Sequence, residues 1–517
     1  MDNFSAFIQY HFKTSFIFFA LGLVFGIIYS INLLGYSIDT PTLDPYNMRA
    51  IHISLMLYGF ITLMLSMLPF LLINKEVGSS EDGLYYLNLF FIFWYIYLIY
   101  MIVTLIFGNH RGLAFYDFNY WLNFILAIAG VFYSIALYKF IKLYQVIPTW
   151  VKVSFRVVLI APIALLILMN PVIGQVERTV SGPHGDNTLG MSLALIPLYY
   201  LIIKLLNKET FVARWNILWI IPTVFYFASV LYRTFVDAIS YNQEWFLQYL
   251  TLLYAPLLYR WYKDSDVDGF SKKALLTSIA AFLFVDVEGN VLFIPEIRWF
   301  FHRNDLIVAH SHVALAIGVF FMVLAMFSKE IKAIGDKAFY KIYMFGILGI
   351  FTVLSISGFV QVGFISLDIG TLWKLRTLFG FIVLFSLLPL ISIKINFSKL
   401  QTYNLLGVLN DGLGGLFLIL LAAYIYPLLG FSFEGKYEYV VFAFVATTGY
   451  IHFLALRDKE HAKTLTSLSA TIRVWISALF FALYLSNVLG LEALFISAFD
   501  FLFSSYYWVF LHKRGVS

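Results

Sequence analysis

The 517-residue chain contains no cysteine. That excludes disulfides, iron–sulfur clusters, thiolate-bridged copper and haem attached through two thiols. Any redox metal must therefore be held by histidine, methionine or carboxylate. Charge is scarce as well. Only 12% of residues are Asp, Glu, Lys or Arg, against about a quarter in a soluble domain. The formal net charge of +5 points to no particular partner, and no nucleic acid is expected. The start, "MDNFSAFIQYHFK", lacks the basic opening of a secretory signal. The apolar run that follows, from about 14 to 35, is expected to stay as a first membrane span.

What the chain has instead is hydrophobic length. Apolar residues make up 61% and aromatics 20%. Runs of about 20 apolar residues, enough to cross a bilayer as a helix, recur throughout. A barrel would show weakly alternating segments instead. The runs lie near 14–35, 50–74, 86–107, 119–141, 152–170, 188–206, 215–236, 245–262, 274–295, 306–328, 341–364, 374–394, 404–429, 438–456, 471–490 and 492–511. The expectation is an all-α polytopic membrane protein of sixteen helices. No low-complexity linker divides it. The polar stretch "KINFSKLQTYN" around 394–404 suggests a core of residues 1–397 and an extension of about four helices, 398–517. The helices of the extension read as poor in ionisable residues.

Loop charge predicts orientation. Lysines and arginines gather at Lys139, Lys142 and Lys152, at Lys204, Lys208 and Arg214, at Lys329, Lys332, Lys337 and Lys341, at Lys394 and Lys399, and at Lys513 and Arg514. All fall on one side if both termini are cytoplasmic. The alternate connections are mixed or acidic, with Asp39 and Asp44, Glu177 and Asp186, then Asp237 and Glu244. In this orientation His52, His184, His302, His310 and His312 gather toward the outer face of a bacterial-type plasma membrane.

The stretch "NDLIVAHSHVALAIGVFFMVLAMF" from Asn304 is apolar but carries His310 and His312. Ionisable groups inside a bilayer are costly and usually have a task. A single histidine there is explained equally well by a hydrogen bond to a neighbouring helix. The spacing adds information, because residues i and i+2 on a helix point about 200° apart. Such a pair cannot chelate one ion, which needs i and i+3 or i+4. Each imidazole can instead reach a different large cofactor. Haem suits this, since imidazole is a common axial ligand. His52, in "NMRAIHISLMLYGF", lies at matching depth as a second ligand.

Several stretches together resemble the catalytic subunit of haem–copper oxidases, most closely the cbb-type cytochrome c oxidases and the nitric oxide reductases. They are "RAIH" ending at His52, "NLFFIFWYIYLIYMIVTLIFGNHRG" from Asn88, "VEGN" at 287–290 followed by "FFHRNDLIVAHSH", and "GFVQVGF" from Gly358. The resemblance covers roughly 14–394, a twelve-helix core, and leaves the C-terminal stretch without counterpart. It implies two haem groups of b type and no copper A. It implies that His52 and His312 hold the iron of a low-spin haem and His310 that of a high-spin haem. It places His302, Arg303 and Asp305 near haem propionates, where cations and hydrogen bonds hold carboxylates. It further implies a respiratory-chain role in the bilayer, an electron donor that is a cytochrome c or a quinol, and room for small membrane partner subunits.

The chain also departs from that family. The family's second metal, copper B or iron, needs one histidine on the sixth helix and an adjacent pair on the seventh. No histidine lies between His184 and His302. "FASVLYRTFVDAIS" supplies Leu231, Tyr232, Arg233 and Thr234 where the pair is sought, and "GDNTLGM" supplies Asp186. The expectation is that copper B is absent, with a harder metal on Asp186, Asp237 or Glu244 a weaker alternative. Asp186, Tyr232 and Glu288 are the candidates for catalytic roles, and Asp286 is a second acidic residue beside Glu288. The leading reading is a di-haem protein passing electrons to a haem that binds a diatomic gas, without copper-dependent oxidase turnover. Two alternatives stand beside it: a non-catalytic haem gas sensor or electron conduit, and a haem-free transporter whose histidines relay protons.

Overall fold

The computed structural model describes residues 3–35, 44–112, 115–170, 185–301, 304–335, 337–387, 390, 399–428, 432–458, 460–486, 488–489 and 491–512. Among them sixteen long helical segments stand where the sixteen apolar runs were read, and there is no strand. Among the described residues, twelve helices are long and apolar enough to cross a membrane. The chain is an all-α polytopic membrane protein. That is the economical answer for apolar sequence, because only helices and closed barrels satisfy every backbone group inside lipid.

The chain divides into two compact units, Met1–Ser392 and Ile393–Ser517. In the first, α1 is Asn3–Asn32, α2 Pro45–Val77, α3 Glu81–Ile106, α4 Leu122–Ile141, α5 Thr149–Leu168 and α6 Gly185–Leu206. Then come α7 Ile217–Phe235, α8 241–264, α9 Gly269–Leu292, α10 Asp305–Phe327, α11 Lys337–Gln361 and α12 Ile369–Ser386. The run read as 245–262 is longer than expected and is broken by a tight 3-10 turn at Leu250–Leu253. The second unit has α13 399–428, α14 Tyr437–Arg457, α15 Ala462–Leu485 and α16 491–511.

The core of the first unit is aromatic. Phe19 stacks on Phe320 at 4.9 Å, and Phe320 stacks on Tyr343 at 4.7 Å. This locks α1, α10 and α11 together with rings, whose offset and edge contacts add about 0.5–1.5 kcal/mol per pair beyond area burial. At one rim of the unit, Lys75 donates to the carbonyls of Lys204, Leu205 and Asn207 at 2.7–2.9 Å. A cation there answers the negative C-terminal end of α6 and its orphan carbonyls.

Two helices of this unit widen locally. Leu55–Ile61 in α2 and Val313–Val319 in α10 are π-helical. A π turn disrupts the regular ladder, so its carbonyls need other donors. Trp94 Nε1 donates to Tyr58 O at 2.8 Å. Tyr343 Oη donates to Ala316 O at 2.7 Å, and Ser278 Oγ to Gly318 O at 2.6 Å. The widened turns are thus built into the packing. His52 lies three residues before the first, and His312 immediately before the second.

Candidate functional site

Helix α2 begins at Pro45, with the Asp44 carboxylate accepting from Tyr46 N at 2.8 Å. Two turns later, His52 lies against α1. Its Nδ1–H donates to Gly22 O at 2.8 Å. A side chain at Gly26 would place its Cβ only 2.6 Å from that Nδ1. The pair "GLVFG", Gly22 to Gly26, therefore forms a bare strip one turn long on which the imidazole lies. Small residues allow such close approach between membrane helices.

On α10 the two histidines diverge as their spacing predicts. His312 turns toward α2, where its ring lies 6.4 Å from that of His52, with the planes 24° apart. Its Nδ1–H donates to Val308 O at 2.8 Å. His310 turns toward α9, and its Nδ1–H donates to Glu288 Oε2 at 3.1 Å. Gly289 lies beside that ring, a Cβ there falling 3.5 Å from His310 Cε1 and 3.7 Å from Gln248 Nε2.

All three imidazoles thus share one arrangement. Nδ1 is committed to an oxygen acceptor, which fixes the tautomer and leaves the Nε2 lone pair to act. That is the state in which histidine ligates a metal. The His52–His312 pair adds a distance test. An imidazole nitrogen binds a first-row metal at about 2 Å, so two rings on a common metal axis have centroids roughly 6 Å apart. The observed 6.4 Å fits that arrangement. Direct ring stacking is closer, as in the 3.8 Å pair of His11 and Phe91.

Asp305 stands at the start of α10. It is not a solvated loop residue: its Oδ2 accepts from Ser357 Oγ at 2.5 Å and from Trp373 Nε1 at 3.1 Å. Its own N–H donates to Gln361 Oε1 at 2.9 Å. Arg376 on α12 was missed by sequence reading. Its Nε donates to Ser30 Oγ at 2.9 Å, and its charge acts on Asp305, Tyr29 and His312. Its Nη2 is buried without a hydrogen-bond partner among the described residues. Arg49, within "RAIH", acts electrostatically on the same Tyr29. An arginine in the apolar run "TLWKLRTLFGF" was the available signal, since intramembrane cations usually mark a site.

Beside His310, Gln248 and Thr251 of α8 and Asp286 and Asn290 of α9 are all buried. Asn290 Nδ2 donates to Asp286 O at 2.8 Å. Glu244 is buried on α8, whereas Asp237 is exposed beyond the end of α7. Tyr232 is 39% exposed on α7. Asp186 lies at the start of α6 with its side chain outside the described residues, and His184, His302 and Arg303 also lie outside them.

The chain matches no protein-family model, and no curated protein matches it.

Proposed function

We propose that this chain is a haem-binding membrane subunit of the haem–copper oxidase kind, with a low-spin and a high-spin haem of b type and no copper B. The observation that carries the reading is the shared state of His52, His310 and His312, with Nδ1 engaged and no hydrogen bond to Nε2 among the described residues. The spacing and near-parallel planes of the His52 and His312 rings support it. Bound in such a site, haem supplies one-electron chemistry and, where an axial position is open, reversible binding of dioxygen or nitric oxide.

The chain's own residues then have definable tasks. Gly22 O and Val308 O orient the two low-spin ligands, and an Nδ1–H hydrogen bond raises the basicity of the ligating nitrogen. Glu288 does the same for His310, and as a carboxylate it pushes more electron density onto the ring than a carbonyl does. Arg376 and Arg49 offer positive charge to haem carboxylates, with Asp305 holding the α10–α11–α12 corner. The family's paired copper ligands have no counterpart, because α7 and α8 contain no histidine. Electron transfer to a gas-binding haem is therefore assigned, and copper-dependent oxidase turnover is not. In this reading both termini are cytoplasmic, the haem ligands lie toward the outer face of a bacterial-type plasma membrane, and electrons come from a cytochrome c or a quinol.

The test is a carbon monoxide difference spectrum of the dithionite-reduced, purified protein. The expected result is a shifted Soret band from one haem beside an unshifted low-spin signal. A colourless protein overturns the reading.

A further inference from the structure

The second unit holds a buried ionic cluster that the haem reading does not use. Asp411 on α13, Arg473 on α15 and Asp500 on α16 are each at most 8% exposed. Each stands near the middle of its helix. Arg473 bridges the other two, Nη2 donating to Asp411 Oδ2 and Nη1 to Asp500 Oδ1. Its guanidinium also lies 4.3 Å from the Phe503 ring. On α14, His452 is fully buried, with Nδ1–H donating to Asn404 Oδ1 at 2.7 Å and Nε2 meeting Ser469 Oγ at 2.8 Å. That same Nε2 is 3.9 Å from Asp411 Oδ2. Every helix of the unit therefore contributes one ionisable group. Tyr403 and Tyr507 complete the surroundings.

The charges do not cancel. Two carboxylates and one guanidinium leave one negative charge, and His452 adds no charge when Ser469 Oγ donates to its Nε2. An uncompensated charge in a low-dielectric bundle is heavily penalised. The supply of donors decides where compensation falls. Asp411 receives Asn410 Nδ2 at 2.8 Å as well as Arg473. Asp500 receives Arg473 alone among the described contacts. Donors favour the ionised form, and Asp500 has fewer of them than Asp411. A metal cation is disfavoured, because the guanidinium already stands between the two carboxylates and repels it.

We infer that the C-terminal bundle is a proton-carrying unit in which Asp500 holds one exchangeable proton, with Asp411 and His452 as the adjoining acceptors. The second observation is a polar route to it. Thr466, Ser469, Arg473 and Ser477 recur at three- and four-residue steps, so they line one face of α15. All four are buried. The route continues through Asn404 and Thr466, joined at 2.8 Å, toward the helix end where Ser467 Oγ meets Tyr507 Oη at 2.6 Å. Tyr403 Oη and Arg473 Nε are buried beside it without a hydrogen-bond partner among the described residues. The seam runs from that end to Ser477, which pairs with Ser497 on α16.

The test uses the full-length protein in lipid nanodiscs and reads the infrared C=O stretch of protonated carboxyls while pH is raised. The wild type is expected to show a buried-carboxyl band that Asp500→Asn removes and that vanishes on deprotonation. Arg473→Gln is expected to roughly double the band, since two carboxylates then share no cation. Ser469→Ala leaves the band in place. Should Asp500→Asn fail to fold, Asp500→Glu keeps a carboxyl and must give a displaced band. The inference is overturned if the wild-type and Asp500→Asn spectra coincide at every pH. It is equally overturned if the band responds to sodium at fixed pH rather than to pH. In proteoliposomes under an imposed potential, Asp500→Asn is expected to reduce proton entry several-fold. Equal entry would remove the carrying role.

Discussion

His52 and His452 are both imidazoles on membrane helices, yet their hydrogen-bonding accounts differ. His452 has both ring nitrogens engaged, by Asn404 and Ser469. His52, like His310 and His312, has only Nδ1 engaged among the described residues. The first pattern is closed on itself, with neighbours that carry full charges. The second is open, each ring having a hydrogen bond at Nδ1 alone among the described residues. A buried histidine is thus informative through the nitrogen it leaves unused. Burial and polarity alone do not separate a ligand from a member of an internal network.

The comparison can be broken most sharply at the proposed haem ligands. His52→Ala or His312→Ala should abolish the low-spin haem signal, halving haem content by pyridine haemochrome, while carbon monoxide still binds at His310. His452→Gln should leave both haem signals unchanged. A loss of haem in His452→Gln, or full retention in His312→Ala, would erase the distinction.

Next in size is the closed cluster. Arg473→Leu strands two buried carboxylates, and removing one partner of such an ion pair costs about 3–5 kcal/mol. Thermal unfolding should record that loss, with the haem spectrum of the folded fraction unaltered. Gly26→Ala is smaller in stability, about 1–3 kcal/mol for overpacking. It should nonetheless perturb the low-spin haem band, because the new methyl displaces His52 from Gly22 O. Glu288→Gln keeps an acceptor for His310 but removes its charge. Loss of such a supporting group weakens metal binding by about 10- to 100-fold, and haem titration should show it at the high-spin site only.

The smallest effect lies outside the membrane. Asp368 caps α12, accepting from Thr371 Oγ1 at 2.6 Å and Thr371 N at 2.7 Å. These bonds hold its carboxyl below the usual carboxylate range. A depressed folded value contributes stability that is present above the unfolded pKa and is lost as pH falls through the folded one. Asp368→Ala should therefore lower Tm slightly at neutral pH, and the difference from wild type should close in acid.

Much of this architecture is legible in the sequence, for a simple reason. Lipid demands long charge-poor helices, so hydropathy alone places them, as in the run read at 119–141 and observed at Leu122–Ile141. The divergence of His310 and His312 is equally legible, because helical geometry dictates it. Three features were not. Hydrogen-bond register is invisible to hydropathy, so the widened turns after His52 and His312 gave no signal. Arg376 is separated from His52 by most of the first unit's chain, and only the fold brings its charge to the site. The extension was read as poor in ionisable residues. In fact Asp411, His452, Arg473 and Asp500, one from each helix, converge on a single point. Sparse charges look negligible in a count, but in a bilayer sparse charges are driven to find one another.

The widened turns have a consequence for lineage. A π turn corresponds to an α-helix that has gained one residue, so each is a record of length rather than of residue identity. They occur at Leu55–Ile61 and Val313–Val319 beside the open histidines, and at Val408–Leu413 and Tyr507–Leu511 around the closed cluster. Deleting one residue from such a turn would restore a regular helix and rotate one half against the other by about 100°. Either the histidine would leave its partner or the packed half would leave the core. Among descendants of this chain, single-residue gaps should therefore be absent from these four segments while exposed loops change length freely. A gap found in one of them should coincide with loss of the adjoining site.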